Sequence, residues 1–165
     1  KKDVGELTIA LKELIENVKS CEICWDFADT NPCAICADTK RDSAIICVVA
    51  QPQDVQVFEK PGMFPGKYHV LRGLIQTDNP ESIRFLKIQA LLQRLEIKKP
   101  TEVVLALNPN LQGENTMMFL EKKITTLHPD IRVSRLARGL PMGSDMRYAD
   151  EITLQSAFTY RTKNK

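Results

Sequence analysis

Residues 6 to 19 have apolar side chains at intervals of three and four, the spacing of an amphipathic helix with one apolar face. Charged residues, among them Glu13, Glu16 and Lys19, fall on the opposite face. The apolar positions are Leu7, Ala10, Leu11, Leu14, Ile15 and Val18. Because this helix leads directly into a cysteine-rich segment, we expect it to attach that segment to a larger body.

Four later stretches have the length and composition of β-strands, and they occupy residues 44–49, 68–71, 102–107 and 131–136. The first is apolar throughout, which is typical of a central strand covered on both faces. The last alternates, which predicts one exposed face. We expect Cys47 in the first strand to be a small buried side chain. We expect His69 in the second to be a strand residue rather than a ligand.

Helical segments separate these strands. Pro52 occupies a first-turn position of a short helix over 52–59, and Asn79-Pro80-Glu81 is typical of the start of another helix. That helix carries an apolar stripe from Ile83 to Leu95, and further helices are predicted over 114–124 and from Tyr148. The alternation of strands and helices predicts an α/β fold, a mostly parallel sheet flanked by helices.

Length and charge limit the class of protein. With 165 residues, 43% of them apolar, the chain can form one ordinary domain with a real core and a small satellite. A net charge of only +2 argues against coating nucleic acid by bulk charge, although a local basic patch remains compatible. No apolar run approaches the roughly 18 residues of a spanning helix, and the N-terminus has no signal core. We expect a cytoplasmic protein without a membrane partner.

Two Cys-x-x-Cys pairs carry the strongest chemical signal. Cys21 and Cys24 form the first pair and Cys33 and Cys36 the second, with eight residues between the pairs. Four thiolates suit a closed tetrahedral Zn²⁺ site, and such a site is structural because no coordination position remains for water or substrate. Two disulfides are the alternative, but they require an oxidising compartment, of which the chain gives no other sign. The Asn31-Pro32 turn would return the second pair to the first.

Catalytic chemistry is poorly represented. In an open parallel sheet functional residues gather at the carboxyl ends of the strands, where a two-metal site needs several carboxylates. This chain places the amides Gln51 and Asn108 there, and we expect the nearest acids, Asp54 and Glu114, to be surface or capping residues. No phosphate-binding loop or nucleophile elbow is found, and Ser144 lacks the second glycine of such an elbow.

Several motifs in order resemble the bacterial recombination mediator family RecR. They are the four-cysteine segment, Ser43 to Val49 with the Pro-x-Asp-Val at 52–55, Gly66 to Leu71, Leu107 to Asn110 with Gly113 to Thr116, and Leu136 to Pro141 with Gly143-x-Asp145 and Tyr148 to Glu151. The resemblance implies a Toprim domain in a bacterial, nucleoid-associated protein. It further implies a non-catalytic clamp that works with RecO and RecF to load RecA onto gapped DNA.

Three departures from the family pattern accompany the resemblance. RecR proteins usually begin with a helix-hairpin-helix DNA-binding segment, which is absent from this sequence. They usually carry two glutamates where this chain has Ala50 and Gln51. The loop over 73–81 is also shorter than usual. We therefore expect either a chain trimmed at its N-terminus or a diverged member of the family, and we expect weak DNA binding and a dimer where the family forms tetrameric rings.

The resemblance divides the chain into a connecting helix over 1–20, a zinc finger over 21–42, a Toprim-like domain over 43–136 and an assembly segment over 137–165. It suggests phosphate contacts by Lys40, Arg41, Arg72 and Arg138. It suggests assembly contacts by Arg138, Gly139, Asp145, Tyr148 and Asp150. Two other functions stay open: a Toprim-type metal-dependent nuclease or primase-like enzyme, and a zinc module that binds proteins without contacting DNA.

Overall fold

A four-stranded sheet forms the centre of the fold in this computed structural model, which describes residues 2–62 and 64–162. The ends of the predicted first and last segments, at residue 1 and residues 163–165, lie outside the described residues. Two short strands, β1 (Lys19–Ser20) and β2 (Phe27–Ala28), pair with each other ahead of this sheet. The strands of the sheet are β3 (Asp42–Val49), β4 (Gly66–Val70), β5 (Glu102–Leu105) and β6 (Arg132–Arg135), in the order β4-β3-β5-β6. All four predicted strands are therefore confirmed, with shifts of a few residues at their ends.

Strand β3 lies between β4 and β5 and is parallel to both. Val48 is in register with His69 of β4 and with Leu105 of β5. The parallel pairing explains why β3 is apolar along most of its length, because helices cover both faces of such a sheet. The α/β fold with a parallel sheet flanked by helices is confirmed.

Successive residues of β3 point to opposite faces and serve two apolar clusters. Val48 and Leu105 belong to the larger cluster, which also contains Leu91, Leu120 and Ile124 from the helices on that face. On the other face, Cys47 and Val49 pack with Tyr68 and Val55. Burial raises the pKa of the Cys47 thiol to about 12, so Cys47 is a small buried side chain, as expected, and not a nucleophile.

A four-residue helix, α2 (Ala34–Ala37), lies in the cysteine-rich segment, and three longer helices flank the sheet: α3 (Pro52–Glu59), α4 (Ile88–Lys98) and α5 (Leu111–Leu127). The prediction of one continuous helix after Asn79 was wrong, because a 3₁₀ helix (Pro80–Phe85) comes first and α4 starts at Ile88. Leu86 between them has an extended backbone and is buried, so it joins the core without continuing the helix.

The N-terminal helix α1 (Lys2–Asn17) forms as the spacing predicts, but its apolar stripe is not covered by the rest of the described chain. Leu14 is 58% exposed and Ile15 75% exposed. The expectation that this stripe packs the helix onto a larger body was therefore wrong for the described residues. Amphipathic spacing indicates that a face can be buried but does not say by what.

The chain divides into two compact units, one ending at Ser134 and the other starting at Arg135. The smaller unit contains a 3₁₀ turn (Met146–Tyr148) and the helix α6 (Glu151–Thr159). Asp150 caps α6, and its Oδ1 accepts a hydrogen bond from the Thr153 amide at 2.9 Å. The helix predicted from Tyr148 is thus confirmed, but it starts at Glu151, and Tyr148 belongs to the preceding 3₁₀ turn. None of the helices in the described ranges could cross a membrane.

Candidate zinc centre and its contacts with the sheet

The four paired cysteines come together in space. Their sulfurs all lie within 4.8 Å of one another, and Cys24 Sγ lies 3.5 Å from Cys33 Sγ. A tetrahedral Zn²⁺ with bonds of about 2.3 Å would space its sulfurs by about 3.8 Å. The sulfurs therefore fit one zinc ion, with Cys21, Cys24, Cys33 and Cys36 as ligands and no position left for substrate.

Local backbone hydrogen bonds shape each Cys-x-x-Cys turn. In the first turn the Trp25 amide donates to the Cys21 carbonyl at 2.9 Å. In the second the Cys36 amide donates to Cys33 Sγ at 3.4 Å, and the Cys33 amide donates across the centre to Cys21 Sγ at 3.4 Å. Amide donors stabilise sulfur as thiolate, which is the form that binds zinc.

The segment between the two cysteine pairs returns as the sequence predicts. Short strands β1 (Lys19–Ser20) and β2 (Phe27–Ala28) pair antiparallel beside the first pair. The Glu22 amide donates to Asn31 Oδ1 at 3.1 Å, and this hydrogen bond holds the turn before Pro32 against the first cysteine pair. Hydrogen bonding by Cys24 and Cys36 lowers the pKa of the Cys33 thiol, so this sulfur favours the ionised form.

The cysteine-rich segment, called the finger below (residues 18–38), contacts β4 along the strand's outer side. Val70 donates its amide to the Cys24 carbonyl at 2.8 Å. Arg72 donates from Nε to the Trp25 carbonyl at 2.7 Å and from a terminal nitrogen to Ser20 Oγ at 2.8 Å. The same guanidinium lies 3.9 Å from the centre of the Phe27 ring. The finger is thus held by both backbone and cationic contacts.

Two further cations reach the finger, one for each cysteine pair. Arg94 of α4 donates to the carbonyls of Ile23 at 3.4 Å and of Tyr68 at 2.5 Å. Lys67 of β4 donates to the carbonyls of Ile35 at 2.8 Å and of Cys36 at 3.3 Å. Burial lowers the pKa of Arg94, whereas the four nearby cysteine sulfurs act in the opposite direction. Sequence reasoning missed both cations.

The sequence contains one signal for Lys67, because it shows a lysine next to an apolar strand. In the structure Lys67 is only 8% exposed, and its buried ammonium needs hydrogen-bond acceptors. No comparable signal marked Arg94, because its helix position is ordinary for a surface arginine. Lys87 was missed for the same reason, and its ammonium lies 4.1 Å from the centre of the Trp25 ring. Contacts between distant parts of the chain bring these residues to the finger.

Three of the four predicted phosphate contacts already have protein partners. Arg41 pairs with Glu59 and donates to the Gly66 carbonyl at 3.2 Å. Arg72 contacts the finger as described, and Arg138 is half-buried with interactions inside the chain. Lys40 is exposed. The role of all four in DNA binding stays a prediction.

The predicted assembly residues lie in the smaller unit and include two acids with local roles. Asp145 pairs with Arg147 at 2.7 Å and caps the 3₁₀ turn, and Asp150 caps α6. Tyr148 is 87% exposed and Gly139 has open space around its Cα. Asp145 and Asp150 therefore stabilise the helical turns of the smaller unit, whereas the exposed ring of Tyr148 is available for contact with a partner.

The carboxyl ends of β3 and β5 carry amides, as the sequence states. Gln51 is the N-cap of α3, where its backbone N–H donates to Asp54 Oδ2 at 2.8 Å, so Asp54 is the capping residue we expected. Asn108 precedes the cap of α5, and its carbonyl oxygen lies where a Cβ on Gly113 would fall. Both amides therefore sit at helix starts.

Comparison with protein-family models finds three matches. The Toprim domain model matches residues 44–137. The model for the four-cysteine zinc finger domain of RecR matches residues 18–38. The RecR C-terminal model matches residues 139–162. Together with the four converging sulfurs, the second match identifies the finger as a four-cysteine zinc finger with one structural Zn²⁺.

Curated relatives agree with these matches. Recombination protein RecR of Bifidobacterium adolescentis is 45% identical over 152 residues, which cover 92% of this chain and 75% of the relative. The RecR of Tropheryma whipplei strain Twist is 44% identical over 159 residues, covering 96% and 79%. A RecR of Clostridium perfringens is 41% identical over 164 residues, covering 98% and 80%. The similarity extends across finger, sheet and smaller unit.

Proposed function

The chain belongs to the RecR family of recombination proteins, and from this premise we propose that it acts as a non-catalytic mediator of DNA recombination and repair. In this role it assembles into an oligomeric clamp and works with RecO and RecF to load RecA on gapped DNA. The observation that carries the proposal is the match of this chain to relatives named for recombination over more than nine-tenths of its length.

The non-catalytic part of the proposal rests on the sheet. Gln51 and Asn108 supply amides at the strand ends where a two-metal site needs carboxylates, and the zinc centre uses four sulfurs and leaves no open position. Incubation of the protein with supercoiled plasmid and Mg²⁺ tests this point. We expect no nicking above a protein-free control. Nicking that co-purifies with the protein and is lost in Asp54→Asn would support the nuclease alternative.

DNA contact in this proposal is electrostatic and independent of base sequence, because cations on phosphates position a protein without reading bases. Among the predicted contacts, Lys40 is exposed and donates a hydrogen bond to Asp38 from its backbone amide. Lys40→Ala keeps that amide and is therefore the cleanest test of phosphate contact. Arg41 and Arg72 also stabilise the fold, so their substitution alters more than DNA binding.

A band-shift titration across salt concentrations measures this contact. We expect weak binding that falls steeply with salt, and Lys40→Ala should reduce the slope of log affinity against log salt by about 1. Lys98→Ala, an exposed cation at the end of α4, serves as the matched control. Tight binding that persists at high salt would contradict the proposal, as would equal slopes in Lys40→Ala and wild type.

Assembly in this proposal uses the segment from residue 137 onward. The smaller unit exposes several large apolar side chains that a partner surface could cover, namely Met146, Tyr148, Ile152, Phe158 and Tyr160. Light scattering should give a dimer for the wild-type protein and a smaller mass for Tyr148→Ser. Pull-down with purified RecO and RecF, followed by RecA loading on gapped DNA, tests the partners. Failure of RecO to bind either form would exclude the mediator role.

A further inference from the structure

Lys67 and Arg94 are cations held against the finger without an acidic partner. In the described chain, no carboxylate oxygen lies within 4.0 Å of either side chain, and their hydrogen bonds go to backbone carbonyls. Lys67 is only 8% exposed. A cation withdrawn from water loses hydration free energy that neutral carbonyls replace only in part, so buried cations normally have a counter-charge nearby.

The zinc centre provides that charge. A Zn²⁺ ion with four thiolates carries a net charge of −2, and this dianion lies among mostly buried sulfurs. Arg94 reaches the carbonyl of Ile23, inside the first cysteine pair. Lys67 reaches the carbonyls of Ile35 and Cys36 in the second pair. Each cysteine pair thus has one of these two cations at its backbone, and Lys67 also donates to the carbonyl of Asp38, just after the second pair, at 2.5 Å.

We propose that Arg94 and Lys67 are positioning residues of the zinc centre, which neutralise the tetrathiolate and so make zinc affinity depend on side chains from α4 and β4. Arg94 also donates a hydrogen bond to the Tyr68 carbonyl, so the same guanidinium contacts both the finger and strand β4 of the sheet. The zinc site of this protein is therefore completed by residues far from the finger in sequence.

Arg72 and Lys87 differ from these two cations. Arg72 spreads its contacts over a carbonyl, a hydroxyl and the Phe27 ring. Lys87 lies over the Trp25 ring. Aromatic faces and side-chain oxygens partly replace water for these groups, whereas Arg94 and Lys67 have no such partners among the described residues. The distinction predicts which substitutions affect zinc.

Competition of zinc-loaded protein with a chromogenic chelator tests the proposal. We expect Arg94→Gln and Lys67→Met each to raise the zinc dissociation constant about tenfold or more, in the range usual for residues outside the ligand set. Arg94→Lys keeps the charge and should stay within about threefold of wild type. Lys98→Gln removes an exposed cation from the same helix and should not alter zinc binding.

Thermal unfolding with and without zinc distinguishes neutralisation of the zinc centre from a contribution of these side chains to folding that is independent of zinc. A residue that neutralises the zinc centre stabilises the zinc-bound protein more than the zinc-free protein. Equal losses of Tm in both forms, zinc affinity within twofold of wild type in Arg94→Gln, or an Arg94→Lys defect as large as that of Arg94→Gln would each overturn the proposal. If Arg94→Gln fails to fold, the same measurements on Lys67→Met decide it.

Discussion

The amide of Val70 donates a hydrogen bond to the carbonyl of Cys24 across 2.8 Å. Val70 ends the outermost strand β4, and Cys24 is a zinc ligand. The finger therefore continues the hydrogen bonding of the sheet at a position where a fifth strand would otherwise lie. Zinc binding and strand ordering are linked through this bond.

Cys33→Ser should remove zinc and loosen the end of β4. One ligand fewer breaks the closed tetrahedral set, and small zinc fingers fold only with metal. We expect loss of bound zinc and about a tenfold decrease in the exchange protection of the Val70 amide. Metal analysis and hydrogen exchange measure the two effects. Cys47→Ala removes a buried thiol outside the finger and should keep its zinc; full zinc content in Cys33→Ser would contradict this account.

Arg41→Ala should destabilise the larger unit by about 1 to 2 kcal/mol, because it removes charge-assisted hydrogen bonds to the partly buried Glu59. Tyr68 also donates to Glu59 at 2.7 Å. Urea unfolding measures the loss. The matched control is Arg84→Ala, whose pair with Glu81 is exposed and should contribute less than about 0.5 kcal/mol. Equal effects of the two substitutions would refute the prediction.

The pH dependence of the same pair has a definite sign. Burial opposes ionisation of Glu59, but the hydrogen bonds from Arg41 and Tyr68 outweigh it and hold the Glu59 pKa below its ordinary value of 4.5. A lowered carboxyl pKa stabilises the fold above the unfolded pKa, and this contribution is lost as pH falls through the folded pKa. The gap in stability between wild type and Glu59→Gln should therefore be largest near neutral pH.

His69 should make stability rise with pH on the acidic side of neutrality. Its ring is fully buried, with Nε2 at 2.9 Å from the Lys87 carbonyl and Nδ1 without a partner among the described residues. Burial lowers its pKa from 6.5 to about 4, so between these values the unfolded chain binds a proton that the folded chain does not.

The expected size is about 1.3 kcal/mol of stability lost between pH 7.5 and pH 5.5, for an unfolded pKa of 6.5. Urea unfolding of zinc-loaded protein across this range measures it. His69→Gln should lack this increment while following wild type in every other pH effect. Parallel curves for the two proteins would contradict the prediction, because they would show that the His69 pKa is the same in the folded and the unfolded chain.

Gly113→Ala should destabilise the protein by about 3 kcal/mol, because a Cβ there would lie 1.9 Å from the Asn108 carbonyl oxygen. The loop after β5 must approach the first turn of α5 that closely because Asn110 caps the helix through the Gly113 amide at 2.8 Å. Gly5→Ala in α1 meets no atom within 4 Å and should be neutral or stabilising. Thermal unfolding of both variants gives the comparison.

Local sequence signals predicted much of the fold and the zinc ligands. The spacing of two cysteine pairs identifies a metal site because the geometry is contained in each short turn. Strand β3 and helix α3 were predicted because an apolar run and a first-turn Pro52 are also local signals. Arg94 could not be predicted, since it lies 71 residues from Ile23, its partner in the finger.

The apolar stripe of α1 marks another limit of sequence patterns. Periodicity predicted the helix but assigned its apolar face to the body of the protein, and that face is exposed. Leu86 shows the same limit at the residue level. It fits the apolar stripe of a single helix, yet it lies buried in an extended segment between the 3₁₀ helix and α4.

The finger's position beside β4 has a consequence for solubility. An uncovered outer strand offers unpaired amides and carbonyls to strands of other molecules, which leads to intermolecular sheet growth. Here two of the groups on that side, the Val70 amide and the Tyr68 carbonyl, are hydrogen-bonded to the Cys24 carbonyl and to the Arg94 guanidinium. Zinc depletion would uncover the Val70 amide, whose acceptor lies in the finger. We therefore expect the zinc-depleted protein to aggregate more readily than the zinc-loaded protein, and zinc-starved cells to accumulate it in insoluble form.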